Sequence, residues 1–96
     1  MKETIQIIGK VTGLDREVCV AKFAYTQLKM EKAGYEVVNP ITLVPEDATW
    51  QQAMRICLAQ LLTVDAVALQ EDWYLSEGAK LEYMVATALR LKMIRV

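Results

Sequence analysis

Histidine is missing from the sequence, and cysteine occurs only twice, at Cys19 and Cys57. The two cysteines are far apart, so the C-x-x-C spacing of zinc and redox motifs is absent as well. Without histidine the chain has no Ser-His-Asp triad and no Cys-His pair, and a zinc site is nearly excluded. We therefore expect neither a metal ion nor another cofactor.

The sequence also lacks a large net charge and a long apolar run. A formal net charge of −1 gives no electrostatic footprint for nucleic acid. No apolar run approaches the roughly 20 residues of a membrane span. The N-terminus does not have the basic, apolar and small-residue order of a signal peptide. We expect a cytoplasmic protein with neither a nucleic-acid nor a membrane partner.

What the sequence does contain is apolar residues, which make up 54% of its 96 residues. A chain of this length buries roughly 60 to 65% of its unfolded surface, enough for one modest core. We therefore expect a single domain over residues 1–96.

Short β-branched and apolar runs predict four strands. The first, Thr4–Ile8, is stopped by Gly9, and the second, residues 35–40, is closed by Pro40, which cannot donate to a sheet. The other two cover residues 64–69 and 92–96.

Three helices are predicted between these strands. The first begins after an N-cap at Asp15, ends near Lys32 and turns Val20, Phe23, Ala24 and Leu28 inward. The second begins after Thr49, and its apolar stripe is Trp50, Ala53, Met54, Cys57, Leu58, Leu61 and Leu62. The third runs from Ser76 to about Leu91, with Leu81, Val85, Ala88 and Leu89 inward. Residues 41–48 show no period and are predicted to be a loop.

This alternation of strands and helices predicts a three-layer, flavodoxin-like or Rossmann-like α/β fold with a parallel sheet in the order 2-1-3-4. In that order the loops after the first and third strands border one crevice, where ligands of open α/β sheets bind.

Residues 70–82 carry the clearest chemical signal at this crevice. Ser76 has the position of an N-cap, and Glu82 lies on the helix that follows. Because helical side chains lean toward the N-terminus, the Glu82 carboxylate is expected over the turn of Gly78, which has no side chain to block it. The positive end of the helix is expected to favour the ionised carboxylate.

The loop after the first strand is a second candidate. Gly9, Lys10 and Gly13 offer backbone N–H groups and an ammonium group to an anion, although the same residues also suit a plain tight turn. Asp72 and Trp73 could line the pocket. Together with Tyr74 and Trp50, Trp73 could instead form an oligomer contact, for which a homodimer is expected.

Several segments resemble the small uncharacterised branch of the nucleoside 2-deoxyribosyltransferase-like superfamily. They are Gly9 with 12–14, residues 34–40, Trp50 with Met54, residues 65–67 and residues 76–82. The Ser76-x-Gly78-x-x-x-Glu82 motif is similar to that of 2′-deoxynucleoside 5′-phosphate N-hydrolases.

The resemblance implies that Ser76 contacts a nucleotide phosphate and that Glu82 is the nucleophile in cleavage of an N-glycosidic bond. It also shows two departures. Cys57 stands where the superfamily's enzymes have an aspartate that assists proton transfer to the leaving base, and Gln6 replaces a tyrosine oriented toward the nucleophile. Two functions therefore stay open: a nucleotide-binding glycosidase or deoxyribosyltransferase, and a non-catalytic nucleotide sensor or assembly module.

Overall fold

In the computed structural model, which describes all 96 residues, four parallel strands form one sheet in the order β2-β1-β3-β4. They are β1 (Thr4–Ile8), β2 (Glu36–Val38), β3 (Ala66–Leu69) and β4 (Lys92–Arg95). Ile5 pairs with Ala66 and Ile8 pairs with Leu69, so the central strands β1 and β3 end at the same level. The predicted strand order and direction are confirmed.

Four helices connect the strands: α1 (Arg16–Lys32), α2 (Pro40–Leu43), α3 (Trp50–Leu61) and α4 (Glu77–Ala88). A short 3₁₀ turn, Trp73–Leu75, precedes α4. The predicted caps of α3 and α4 are confirmed, since Thr49 forms a capping box with Gln52 and Ser76 Oγ accepts the N–H of Ala79. Asp15 has the N-cap position of α1, but its side chain makes no capping hydrogen bond.

The structure corrects the prediction of an unstructured segment after β2. Residues Pro40–Leu43 form α2, because Asn39 caps its N-terminus by accepting the Ile41 N–H at 2.9 Å. Proline is favoured at the first position of a helix, where its missing N–H costs nothing. Pro40 therefore begins a helix rather than only ending a strand.

Two hydrophobic clusters lie on opposite faces of the sheet. Met30 of α1 packs with Ile5, Ala66 and Ala68 on one face. The other cluster joins α3 and α4 to the sheet through Ile8, Leu61, Val64, Val67, Leu69, Ala79 and Ala86. Because successive strand residues point to opposite faces, β3 contributes to both clusters. The expected three-layer fold is confirmed.

The buried face of α1 differs from the prediction. Phe23 is buried as expected, but Val20 is 45% exposed, Leu28 is 59% exposed, and Ala24 is exposed too. The buried residues are Cys19, Phe23, Thr26 and Met30. Thr26 tolerates burial because its hydroxyl donates to the Lys22 carbonyl and accepts from Gln70 Nε2.

The inward face of α4 was also predicted wrongly at three of its four positions. Leu81, Ala88 and Leu89 are exposed, and Val85 is half-buried. The buried residues are Gly78, Ala79, Glu82 and Ala86. Small side chains face inward because α4 packs closely against its neighbours. Glu82 lies on the same face of the helix and is therefore buried. The predicted continuation to Leu91 ends instead at Ala88, and Arg90 turns the chain with a φ of 58°.

Candidate functional site

A cleft of about 270 Å³ lies at the carboxyl end of β1, between the segment 40–50 and the N-terminal halves of α3 and α4. One wall is apolar and is formed by Pro40, Ile41, Val44, Pro45, Ala48, Trp50, Ala53 and Met54. The polar groups are fewer, and they include Thr12, Arg16, Ser76 and Glu82. An apolar cleft with a small number of polar groups is typical of a site for a small organic molecule.

Glu82 is the buried carboxyl group of this cleft, with only 7% of its surface exposed. Burial raises its pKa from the ordinary value of 4.5 to about 7, although a hydrogen bond from Gln6 acts in the opposite direction. The expectation that the helix N-terminus favours the ionised form is therefore corrected, because removal from water outweighs it. Near neutral pH both protonation states of Glu82 are populated, which suits a group that takes part in chemistry.

Cys57 lies beside Glu82 and lines the same cleft. Burial, and secondly the charge of Glu82, raise the pKa of the thiol to about 12. Cys57 is therefore protonated at neutral pH and is neither a ready nucleophile nor an effective acid. Its predicted burial on the apolar stripe of α3 is confirmed.

Ser76 and Gly78 both line the cleft at the start of α4. The predicted open space over Gly78 is not found: a Cβ atom added there would lie 2.9 Å from Met54 Sδ and 3.6 Å from Trp50 Nε1. The absent side chain instead lets α3 approach α4 closely. This contact fixes the helix that carries Cys57 against the helix that carries Glu82.

The predicted crevice between the loops after β1 and β3 is closed by the protein's own groups. Asp72 accepts the backbone N–H of Lys10 at 3.0 Å and pairs with Lys22 Nζ at 2.6 Å. Lys22 Nζ also donates to the Lys10 carbonyl at 2.6 Å. Partial burial opposes ionisation of Asp72, but the hydrogen bonds from Lys22 and Lys10 outweigh it and lower the pKa of this carboxyl group.

Of the residues predicted for the site, Gly9, Ser76, Gly78 and Glu82 line one cleft, whereas Lys10, Gly13, Asp72 and Trp73 do not. Gly9 also makes room for a neighbour, since an added Cβ atom would lie 1.8 Å from Gln70 Oε1. Gly13 has a φ of 90°, as a tight turn requires. Trp73 stacks on Tyr83 with ring centroids 4.2 Å apart.

Arg16 is the feature that the sequence prediction missed. It is the one basic residue of the cleft lining, and it makes no ion pair within the chain. As the first residue of α1, it also lies where unpaired backbone N–H groups favour anions. A basic residue at the start of the first helix was visible in the sequence, but Lys10 in the glycine loop was predicted as the anion-binding cation instead.

The fold and the cleft define a small three-layer α/β domain with a buried carboxyl group at a ligand-sized site. Residues 3–95 match the family model described as Domain of unknown function (DUF4406), and the chain belongs to this family. Neither a curated protein nor a solved structure matches the chain. No helix has both the length and the apolar character needed to cross a membrane.

Proposed function

We propose that the cleft binds a nucleoside or nucleoside phosphate and that Glu82 cleaves its N-glycosidic bond. The observation that carries the proposal is the burial of Glu82 in an apolar cleft with a pKa of about 7. The similarity of the Ser76-x-Gly78-x-x-x-Glu82 motif to that of 2′-deoxynucleoside 5′-phosphate N-hydrolases supports it. We propose, on the same grounds, that the chain is related to the nucleoside 2-deoxyribosyltransferase-like superfamily.

The lining supports a division of the cleft between the parts of such a ligand. The apolar wall, which includes Trp50, offers a surface on which a base can pack. Arg16 supplies positive charge for a phosphate, and Ser76 keeps a hydroxyl hydrogen to donate, because its oxygen only accepts from Ala79 N–H at 3.2 Å. In this arrangement Glu82 faces the sugar.

In the proposed reaction a carboxylate oxygen of Glu82 attacks the anomeric carbon and forms an ester with the sugar. The bond between that carbon and the base nitrogen breaks, and its electron pair leaves with the base, which takes a proton from water. Attack by water, or by a second base, on the same carbon releases the sugar and restores the carboxylate. Cys57 contributes little to the departure of the base, because its pKa of about 12 makes it a weak acid.

Release of free base from a panel of deoxynucleosides and deoxynucleoside monophosphates, followed by chromatography, tests this function. Glu82→Gln should abolish release while the fold is kept. Glu77→Gln is the matched control, since Glu77 is an exposed glutamate on the same helix. If the parent releases no base from any compound, or if Glu82→Gln releases base as fast as the parent, the proposed chemistry is refuted.

The second candidate is a non-catalytic nucleotide-binding module. The protonated thiol of Cys57 favours it, because no strong acid stands beside Glu82 to assist the leaving base. A nucleotide that raises the melting temperature of the parent without loss of base would support this candidate.

A homodimer is part of the same alternative, and the exposed side chains of Trp50 and Tyr74 support it. Light scattering at micromolar concentration tests this assembly. A monomer mass would remove the interface role of both aromatic residues.

A further inference from the structure

Gln6 lies behind Glu82 and connects it to α3. The side chain of Gln6 is fully buried on β1, and its Nε2 atom donates to the Cys57 carbonyl at 3.0 Å and to Glu82 Oε2 at 3.4 Å. The Cys57 carbonyl determines which end of the amide faces these groups, because a carbonyl oxygen accepts only from the nitrogen. Gln6 therefore presents a donor, and not an acceptor, to Glu82.

This orientation leaves one polar atom without a partner. Gln6 Oε1 is buried and accepts no hydrogen bond. An unpaired buried acceptor destabilises a fold, so this orientation of Gln6 carries a cost in stability. What the chain gains is an N–H group aimed at a carboxylate, since donation to an ionised acceptor is stronger than donation to a neutral one.

We propose that Gln6 is a positioning residue, which holds Glu82 in one orientation and favours its ionised form through the Nε2–Oε2 contact. Oε1 of Glu82 makes no hydrogen bond within the chain and is left available to the cleft. The inference rests on the proposed function, because an oriented carboxylate is of use only if Glu82 reacts as one.

Other charged or titratable groups around Glu82 are few. Those that line the cleft are Cys57 on α3, Arg16 on α1 and Glu46 in the segment before α3. Cys57 stays protonated, and the shift in the Glu82 pKa arises from burial and from the Gln6 hydrogen bond rather than from Arg16 or Glu46. Neither Glu77 nor Lys80 of α4 lines the cleft. Gln6 is the only group that hydrogen-bonds to the Glu82 carboxyl.

The test is the titration of the Glu82 carboxyl carbon by NMR in protein labelled with ¹³C at the glutamate carboxyl groups. The signal is assigned by its loss in Glu82→Gln. In Gln6→Met we expect the titration midpoint to rise from about 7 to about 8, because the N–H donor to the carboxylate is removed. Gln6→Asn, whose amide is too short to reach, should behave in the same way and provides a second variant if the first fails to fold.

Gln70 provides the matched control. It is also a buried glutamine with an unpaired Oε1, but its Nε2 donates to Thr26 on the other face of the sheet. Gln70→Met should leave the Glu82 midpoint at about 7. An unchanged midpoint in folded Gln6→Met and Gln6→Asn would overturn the positioning role. Because the titration needs no substrate, this failure is distinguishable from failure of the proposed glycosidase activity, which base release measures.

Discussion

The crevice between the loops after β1 and β3 and the cleft beside it both lie at the carboxyl end of the sheet. Each contains a carboxyl group, but the two pKa values are shifted in opposite directions. Asp72 in the crevice is paired with Lys22 and with the Lys10 N–H, and its pKa is lowered. Glu82 in the cleft is buried with a single weak donor, and its pKa is raised to about 7. Lys10 and Asp72, two of the predicted ligand contacts, bind each other, whereas the weakly hydrogen-bonded Glu82 marks the candidate site.

The largest expected effect is the response of the cleft to pH. The folded pKa of Glu82 lies above the ordinary value of 4.5, so the unfolded chain loses its proton first as pH rises. The parent should lose about 3 kcal/mol of unfolding free energy as pH rises from about 4.5 to about 7. Glu82→Gln lacks this loss and should gain that amount relative to the parent between about pH 4 and pH 8.

Denaturant melts at a series of pH values measure this difference. Glu77→Gln is again the control and should follow the parent. A constant difference between parent and Glu82→Gln across the range would mean that Glu82 is solvated rather than buried.

The next largest effect is expected at Gly9, which lines the cleft and contacts Gln70. Gly9→Ala places a Cβ atom 1.8 Å from Gln70 Oε1, so the buried Gln70 side chain must move. We expect a loss of about 2 kcal/mol, typical of overpacking in a core. In the double variant Gly9→Ala with Gln70→Ala the 1.8 Å contact is absent and only a 3.0 Å contact with the Cβ atom at position 70 remains, so a double-mutant cycle by chemical denaturation should show a favourable coupling. Strictly additive losses would contradict the proposed contact.

Asp72→Asn should have a smaller effect, with the opposite dependence on pH. Both side chains of the Lys22–Asp72 pair are about a quarter exposed, and we expect a loss of about 1 kcal/mol at neutral pH. Because the folded pKa is lowered, the contribution of Asp72 is present above its ordinary value of 3.8 and disappears as pH falls through the lowered value. Acid titrations of stability measure this dependence, and Glu71→Gln, at the exposed neighbouring position, is the matched control for the loss at neutral pH.

Arg16→Ala should have the smallest effect on stability, within about 0.5 kcal/mol, because the side chain is exposed and unpaired. It should nevertheless reduce the rise in melting temperature that phosphate or a nucleoside monophosphate produces. Lys10→Ala distinguishes anion binding in the cleft from anion binding at the glycine loop. If this variant removes the thermal shift and Arg16→Ala does not, the anion binds at the glycine loop as the sequence predicted.

The sequence was sufficient to predict the strands, their order and two helix caps, because these depend on local patterns and on topology. The missed helix α2 was also locally encoded, since Asn39 and Pro40 form an N-cap followed by an N1 proline. The burial of Thr26, Gln6 and Glu82 could not be predicted from local sequence, because each residue depends on partners at least 44 residues away in the chain. Polar residues are predicted to be exposed unless those partners are known.

Within the site, the motif of Ser76 and Glu82 placed both residues at one cleft, but the sequence did not reveal what surrounds them. Lys10 and Asp72 carry charges that are typical of binding residues. Their mutual contact through the Lys10 N–H became visible only in three dimensions. The role of Gly78 shows the same limit, because a missing side chain can serve a ligand or a neighbouring helix equally well.

The central position of β1 has a consequence for how the chain folds. This strand is synthesised before the other three and pairs with β2 along one edge, but its other neighbour, β3, begins only at Ala66. During synthesis the β1 edge that pairs with β3 stays open until about two-thirds of the chain has been made, and Ile8 is not fully covered before Leu61 and Val64 are made. Formation of the core depends on contacts between distant parts of the sequence, which slows folding and lengthens the period in which the nascent chain can aggregate.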